Sequence, residues 1–310
     1  MVQRLVENLF LSSNGDEVIF NSSTFFDLHK KNQGIYFQWV EEGKVLGAIH
    51  VTEIASGFWR SPARGTFSGY SFSKDVSLQN LFNFHAAVCG RLKDIGAEKL
   101  EILLPPEAHD PVAFAKQFYV LNSSSFSIAD CNLNYSISVD KKPLIDKMTY
   151  GNQKRFRKCE RAHLTTARLP DTSLAEVYEL LKENRISKGH QISMTLEQLE
   201  EMRILFPDAF HLFGVIDGEN LAAAAVCLRI SQTILYVFYW GDSSGYALFS
   251  PVVRLAAEIY NFCQSEGVEI MDIGTSTQDT VPNFGLINFK KGLGFLESLK
   301  ISMVKNLIHI

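Results

Sequence analysis

Two apolar runs dense in aromatic and β-branched residues, Tyr36–Val40 and Val45–Val51, flank the polar stretch Glu41-Glu42-Gly43-Lys44, and this pattern predicts a β-hairpin. A loop rich in Gly, Ser and Arg is expected from Ser56 to Ser73. The period then changes. Leu78, Leu81, Phe82, Val88, Cys89 and Leu92 recur at helical spacing between Ser77 and Ile95, and Gly96 ends that helix. Glu98–Leu104 reads as the next strand, stopped by Pro105-Pro106.

The same order returns further on. Phe210–Ile216 and Leu221–Ile230 are strands around an Asp217-Gly218 turn, and Thr233–Trp240 is an aromatic strand. Ser250 is the expected cap of a helix with Pro251 in its first turn and Val252, Leu255, Ala256, Ile259 and Cys263 as its buried stripe. Gly267 ends that helix, and Val268–Ile273 is a strand that stops at Gly274. A polar loop from Thr275 to Val281 leads through Pro282-Asn283-Phe284-Gly285 into a helix with Leu286, Phe289 and Leu293 on one face. Glu42-Gly43 overlays Asp217-Gly218 at a shift of 175, as does Leu46 on Leu221; Ile95–Glu98 overlays Glu266–Glu269 at 171, with one four-residue gap. An internal duplication is predicted, with units at residues 1–140 and 141–310.

Between the repeats, a serine-rich connection spans Asn122–Ala129 and a strand spans Tyr135–Val139. Helices are expected at Leu174–Ile186 and Thr195–Leu205. From Lys141 to His163 eight Lys or Arg face two acids, 8 − 2 = +6, although the whole chain of 310 residues carries a net charge of -4. A helix from Asn152 would put Lys154, Arg157, Lys158 and Arg161 on one face, with Phe156 and Cys159 opposite and turned to the core.

Composition narrows the function. The acidic balance argues against a wholesale nucleic-acid coat and leaves only the local basic patch. Five cysteines without a CxxC pair fit a reducing compartment. The N-terminal apolar patch Leu9-Phe10-Leu11 is too short for a signal peptide, and the longest apolar run, Leu221–Leu228, is too short to span a membrane. A soluble cytoplasmic protein is expected. The eight histidines show no ligand spacing, so no metal is expected, and neither a Gly-x-Ser-x-Gly elbow nor a Walker loop appears.

The order of elements, the basic helix Gln153–Ala162, the Asp272-Ile273-Gly274 strand end and the ending Asn283–Phe295 resemble Fem-type (FemAB-like) peptidyltransferases, short bacterial members of the GNAT-like acyltransferase superfamily. The resemblance implies an α/β (α+β) fold of two tandem GNAT-like units, each a mixed twisted sheet flanked by helices, with the active cleft in the second. It implies an N-acyltransferase acting on an amine of a cell-envelope sugar or peptide precursor, with acyl-CoA or aminoacyl-tRNA as donor. The chain departs from two family patterns. In place of a glycine-rich pyrophosphate loop stand Gly241-Asp242-Ser243-Ser244-Gly245 and Arg64–Gly69, and no long charged helical hairpin is inserted in the second half. The donor therefore stays open between the two.

Acyl transfer needs a developing oxyanion neutralised and a proton removed. The resemblance puts Lys290 at the cleft, where an ammonium suits the first task. Asp272 could orient substrate or accept a proton, or it could cap the loop through the Thr275 and Ser276 amides, an ordinary use of Asp. Lys154, Arg157, Lys158 and Arg161, with Arg60 and Arg64 in the first unit, are candidates for the phosphates of a nucleotide-linked substrate or a tRNA. Tyr239 and Trp240 end the aromatic strand and would line the cleft, with Phe238 in the core; Asn283 is a further substrate-binding candidate. A non-catalytic polyanion- or RNA-binding protein with the same fold is the alternative.

Overall fold

The computed structural model describes residues 3–10, 18–30, 33–278 and 280–308, so Leu11 of the N-terminal patch and Asp279 of the polar loop lie outside the described residues. The chain forms two compact units, residues 1–133, 277–281 and 298–310, and residues 134–276 and 282–297. The division falls at Asn134 rather than 140, and the last segment returns to the first unit.

In the first unit β1 (Gln3–Glu7), α1 (Ser23–His29), β2 (Gly34–Glu41) and β3 (Lys44–Ala55) open the chain. The segment expected as a loop holds β4 (Phe58–Ser61) and β5 (Ser71–Phe72), then α2 (Leu78–Asp94), β6 (Lys99–Leu103) and α3 (Pro111–Ser123) follow. β4 escaped the sequence pattern because it is four residues long and bounded by turn residues, yet Trp59 is buried and pairs in the sheet. The α2 helix starts where Ser77 Oγ accepts from Asn80 N at 3.1 Å, a cap worth about 1 kcal/mol. Its Leu81, Phe84, Val88 and Leu92 pack on Phe37, Ile49, Val51, Leu100 and Ile102. Each such burial contributes about 1.5–3 kcal/mol.

The chain enters the second unit inside β7 (Ser127–Ser138), which begins within the expected connection. Then come α4 (Leu144–Lys147), α5 (Tyr150–Arg161), β8 (Thr165–Leu169), α6 (Leu174–Ser187), α7 (Leu196–Leu205), β9 (Phe210–Asp217), β10 (Asn220–Arg229) and β11 (Ile234–Asp242). They are followed by α8 (Val252–Ser265), β12 (Ile270–Thr275), the two-residue strands β13 (Thr277–Gln278) and β14 (Val281–Pro282), and α9 (Phe284–Gly292). β15 (Leu296–Asn306) carries the chain back to the first unit, where it pairs with β6. No helix among the described residues is long and apolar enough to cross a membrane.

Strand order is β1-β2-β3-β4-β6-β15 in the first unit and β7-β12-β11-β10-β9-β8 in the second. In both, an antiparallel meander (β2-β3-β4, β9-β10-β11) leads through a helix (α2, α8) to a strand parallel to the last (β6, β12). The α/β architecture of two tandem GNAT-like units is the one expected from the sequence. In the second unit Ala222–Cys227 of β10 are fully buried because α6 and α8 both pack on it, and small side chains let those helices approach. One start differs: Ser250 adopts φ 53°, a left-handed conformation, and offers its carbonyl rather than its hydroxyl, so Pro251 stands at the N-cap and α8 begins at Val252 with no side-chain cap.

Candidate active site

β11 and β12 pair in parallel only through Ile234–Ile270, Leu235–Met271 and Tyr236–Asp272. Beyond that, β11 stays with β10 as far as Asp242, whereas β12 bends towards β7 through a register shift between Asp272 and Thr275. The two strands part at their carboxyl ends, which is where open α/β sheets bind ligands. Parting leaves backbone carbonyls without ladder partners, and a buried carbonyl needs a donor.

Lys290 of α9 supplies it. Its Nζ donates to Ile273 O, Gly274 O and Thr275 O, each at 2.8 Å, so all three ammonium protons are committed. The side chain is 1% exposed. Burial pulls its pKa down to about 7, against the pull of Asp272, which favours the charged form, while the Arg185 guanidinium lowers it further. The sequence expectation was an ammonium aimed at substrate; in this geometry it staples the end of β12. Lys290 is also the most buried side chain of α9, where Leu286 and Phe289 are only half-buried and Leu293 is buried at the helix end.

Asp272 is fully buried beside it. Its Oδ1 accepts from Gly274 N at 2.6 Å and its Oδ2 from Asn134 Nδ2 at 2.8 Å. The cap closes on Gly274, one residue before the expected Thr275 and Ser276 amides, and Gly274 turns at φ 73°, a conformation glycine adopts without cost. Asn134 gave no sequence signal: it lies 138 residues from Asp272 along the chain.

At the mouth of the gap, the Trp240 and Phe289 rings meet edge-on at 6.1 Å. Opposite Val226 and Cys227, β11 carries Phe238 as an extra residue, and this bulge reverses the alternation. Phe238 is therefore half-buried and Tyr239 only 4% exposed, the reverse of the expectation. The Tyr239 hydroxyl shares a short hydrogen bond with Ser193 Oγ, and the Arg185 guanidinium lies over its ring at 5.4 Å. No carboxylate among the described residues pairs with Arg185, which leaves a half-buried cation free to meet an anion. Asn184, the preceding residue on α6, donates to Asp242 O at 2.6 Å and packs on Gly241, where an added Cβ would sit 2.7 Å from Asn184 Oδ1. Arg185 and Asn184 went unnoticed in the sequence because their helical face carries no motif.

The basic helix sits on a second feature. Thr149 donates from N (2.9 Å) and Oγ1 (3.2 Å) to Gly292 O, which ties the start of α5 to the end of α9. A Cβ on Gly292 would fall 2.8 Å from Asn152 Nδ2, so the Asn152 side chain would have to shift. Phe156 and Cys159 are buried, as the spacing predicts, and the outer face opens a cavity of about 470 Å³. Lys154, Arg155, Arg157, Lys158 and Arg161 line it, and no acidic residue does. Arg60 and Arg64 do not: Arg60 donates to Pro62 O (3.2 Å) and Ala63 O (2.7 Å) of its own loop, and Arg64 is exposed in the first unit. Asn283 caps α9, its Oδ1 accepting from Leu286 N at 3.0 Å. Its side-chain oxygen is thereby spent on the helix. Among the described residues no group of three or more His, Cys, Asp or Glu side chains is placed to hold a metal.

The chain has the Fem-type, GNAT-like acyltransferase fold. It superposes on FemX with a TM-score of 0.72 at 14% identity over 99% of this chain and 97% of that one. A tandem GNAT protein from the clavulanic acid biosynthesis pathway matches at 0.53 and 14% identity over 100% of both chains. L-PGS from Bacillus licheniformis matches at 0.58 and 10% identity over 94% of this chain and 93% of that one. No protein-family model and no curated protein matches the sequence itself.

Proposed function

We propose that the chain is an N-acyltransferase whose cleft lies where β11 and β12 part, and that it moves an acyl or aminoacyl group to an amine of a cell-envelope sugar or peptide precursor in the bacterial cytoplasm. The observation that carries the reading is the parted strand end with its carbonyls held by Lys290, in a fold shared with FemX. Beyond Tyr236 the free edge of β11 offers backbone N–H and C=O groups to an extended, amide-bearing donor. The amine attacks the donor carbonyl directly, the bond to the CoA thiolate or the tRNA ribose oxygen breaks as the amide forms, and the proton lost by the amine passes to that leaving group. Cys227 and Cys263, whose thiols burial holds protonated, offer no nucleophile for an acyl-enzyme. Lys290 keeps the strand end in shape, and its charge offsets the developing oxyanion through space, with Arg185 as the second cation. Asp272 and Asn134 hold the turn. Trp240 walls the mouth, and Tyr239 positions Arg185 from beneath.

The cationic cavity of α5 takes anionic groups, its Lys and Arg side chains pairing with phosphate oxygens. The same cavity favours a second reading, a polyanion- or RNA-binding protein without catalysis, for which steep salt dependence and no turnover are expected. Thermal-shift titrations with acetyl-CoA, free CoA and aminoacyl-tRNA decide between them. A true donor raises the midpoint saturably, by the equivalent of about 2.7 kcal/mol at one hundred times its Kd. Silence from acetyl-CoA, free CoA and aminoacyl-tRNA alike would sink the transferase reading.

A further inference from the structure

We infer that the outer face of α5, with Leu248 at its rim, is a docking surface for an anionic lipid bilayer. The inference rests on the reading that this cavity takes anionic groups and names their source. Lys154, Arg157 and Arg161 have no carboxylate partner among the described residues, and Glu160, the helix's own acid, is taken by Arg254 at 3.2 Å. All five lining cations are exposed. A site built for one phosphate would fix it with buried donors, whereas solvated cations on an open face sum to a field that a charged surface answers.

The apolar rim separates a bilayer from other polyanions. Leu248 is 82% exposed and Tyr150 is 67% exposed, and both line the cationic cavity. An aliphatic side chain standing in water gains nothing from a dissolved nucleotide and gives no platform for base stacking. Tyr150 could stack, but its ring already carries the Lys154 ammonium at 4.4 Å. At the boundary between headgroups and acyl chains, by contrast, leucine and tyrosine insert while lysine and arginine meet lipid phosphates. The anchor and the cations also form one piece: Lys158 Nζ donates to Leu248 O at 2.7 Å, and Cys159 Sγ donates to Phe249 O at 3.2 Å. Attachment of this kind is peripheral.

The test is co-sedimentation of the full chain with vesicles of phosphatidylglycerol and phosphatidylcholine in equal parts, and with vesicles of phosphatidylcholine alone. The expected result is binding to the first, little to the second, and release by salt. Leu248→Ser keeps every charge and should lower partitioning about tenfold. Arg157→Glu with Arg161→Glu should lower it by at least about 25-fold, about fivefold for each cation lost. Both changes lie at exposed positions, and unchanged melting curves would show that the variants fold. Failure to bind anionic vesicles overturns the inference, and so does binding indifferent to Leu248→Ser. If vesicle binding fails while a nucleotide or tRNA still binds in a way the paired glutamates abolish, docking is refuted and the anion site of the transferase reading stands. If neither vesicle nor soluble polyanion binds, both fall.

Discussion

The two units reach the same topological point and finish it differently. In the first, β4 and β6 pair in parallel from Phe58–Lys99 to Ser61–Ile102, as β11 and β12 do in the second. There the chain after β4 folds back: Ser68 N donates to Leu103 O at 2.9 Å, and Leu104 N donates to Ile301 O at 2.9 Å. An aromatic plug completes the closure, with Phe67 edge-on to Phe20 at 5.1 Å, Phe20 edge-on to Phe25 at 5.2 Å, and His50 Nε2 2.7 Å from Phe20 O. In the second unit no such loop returns among the described residues; one lysine from α9 takes three carbonyls. A strand end filled by its own loop is core, whereas one held by a single side chain keeps an open edge beside it. Topology provides the place, and the segment that follows decides whether a ligand can use it.

The sharpest way to break this contrast is Lys290→Ala, which leaves three buried carbonyls and a buried carboxylate without their cation. A loss of about 3–5 kcal/mol in chemical denaturation is expected, together with loss of any donor response. Next comes Phe67→Ala, which opens the plug of the first unit and should cost about 3–4 kcal/mol while leaving donor-induced stabilisation intact. If Phe67→Ala removed that response instead, the assignment of the cleft to the second unit would be wrong.

A pH series sharpens the comparison further. Lys290 has its pKa lowered from 10.5 to about 7, so between those values the unfolded chain binds more protons and this group's contribution to stability grows as pH rises. His50, lowered from 6.5 to about 4 by burial, works the same way in a lower window, with stability lost as pH falls from 6.5 to 4. Melting curves of Lys290→Met should lose the alkaline rise and keep the acid loss. The smallest effect on folding belongs to Arg185→Ala. We expect a stability change within about 0.5 kcal/mol because the guanidinium has no ion-pair partner among the described residues, yet the midpoint shift caused by a bound donor should shrink severalfold.

Much of the fold was legible because it is local. The hairpins, the α2 and α8 helices and the tandem order follow from spacing and turn residues, and α7 starts one residue after the expected Thr195, which caps it instead. β4 was missed because four residues carry too little periodicity. The Phe238 bulge was missed because an extra residue shows only against the partner strand. At the site, the sequence singled out Lys290, Asp272 and the α5 cations as chemically unusual, but not the company they keep.

What the sequence determined by itself was therefore the inventory: which stretches are strands and helices, that they repeat, and that a +6 segment interrupts an acidic chain. Period and turn chemistry act over a few residues and can be read along the chain. Tertiary structure alone decided that Lys290 spends its protons on three carbonyls, that Asn134 serves Asp272, that Asn283 is a cap, and that Arg185 lies over the Tyr239 ring with no carboxylate partner among the described residues. Burial and hydrogen-bond partnership are properties of neighbours in space, and these neighbours are far apart along the chain.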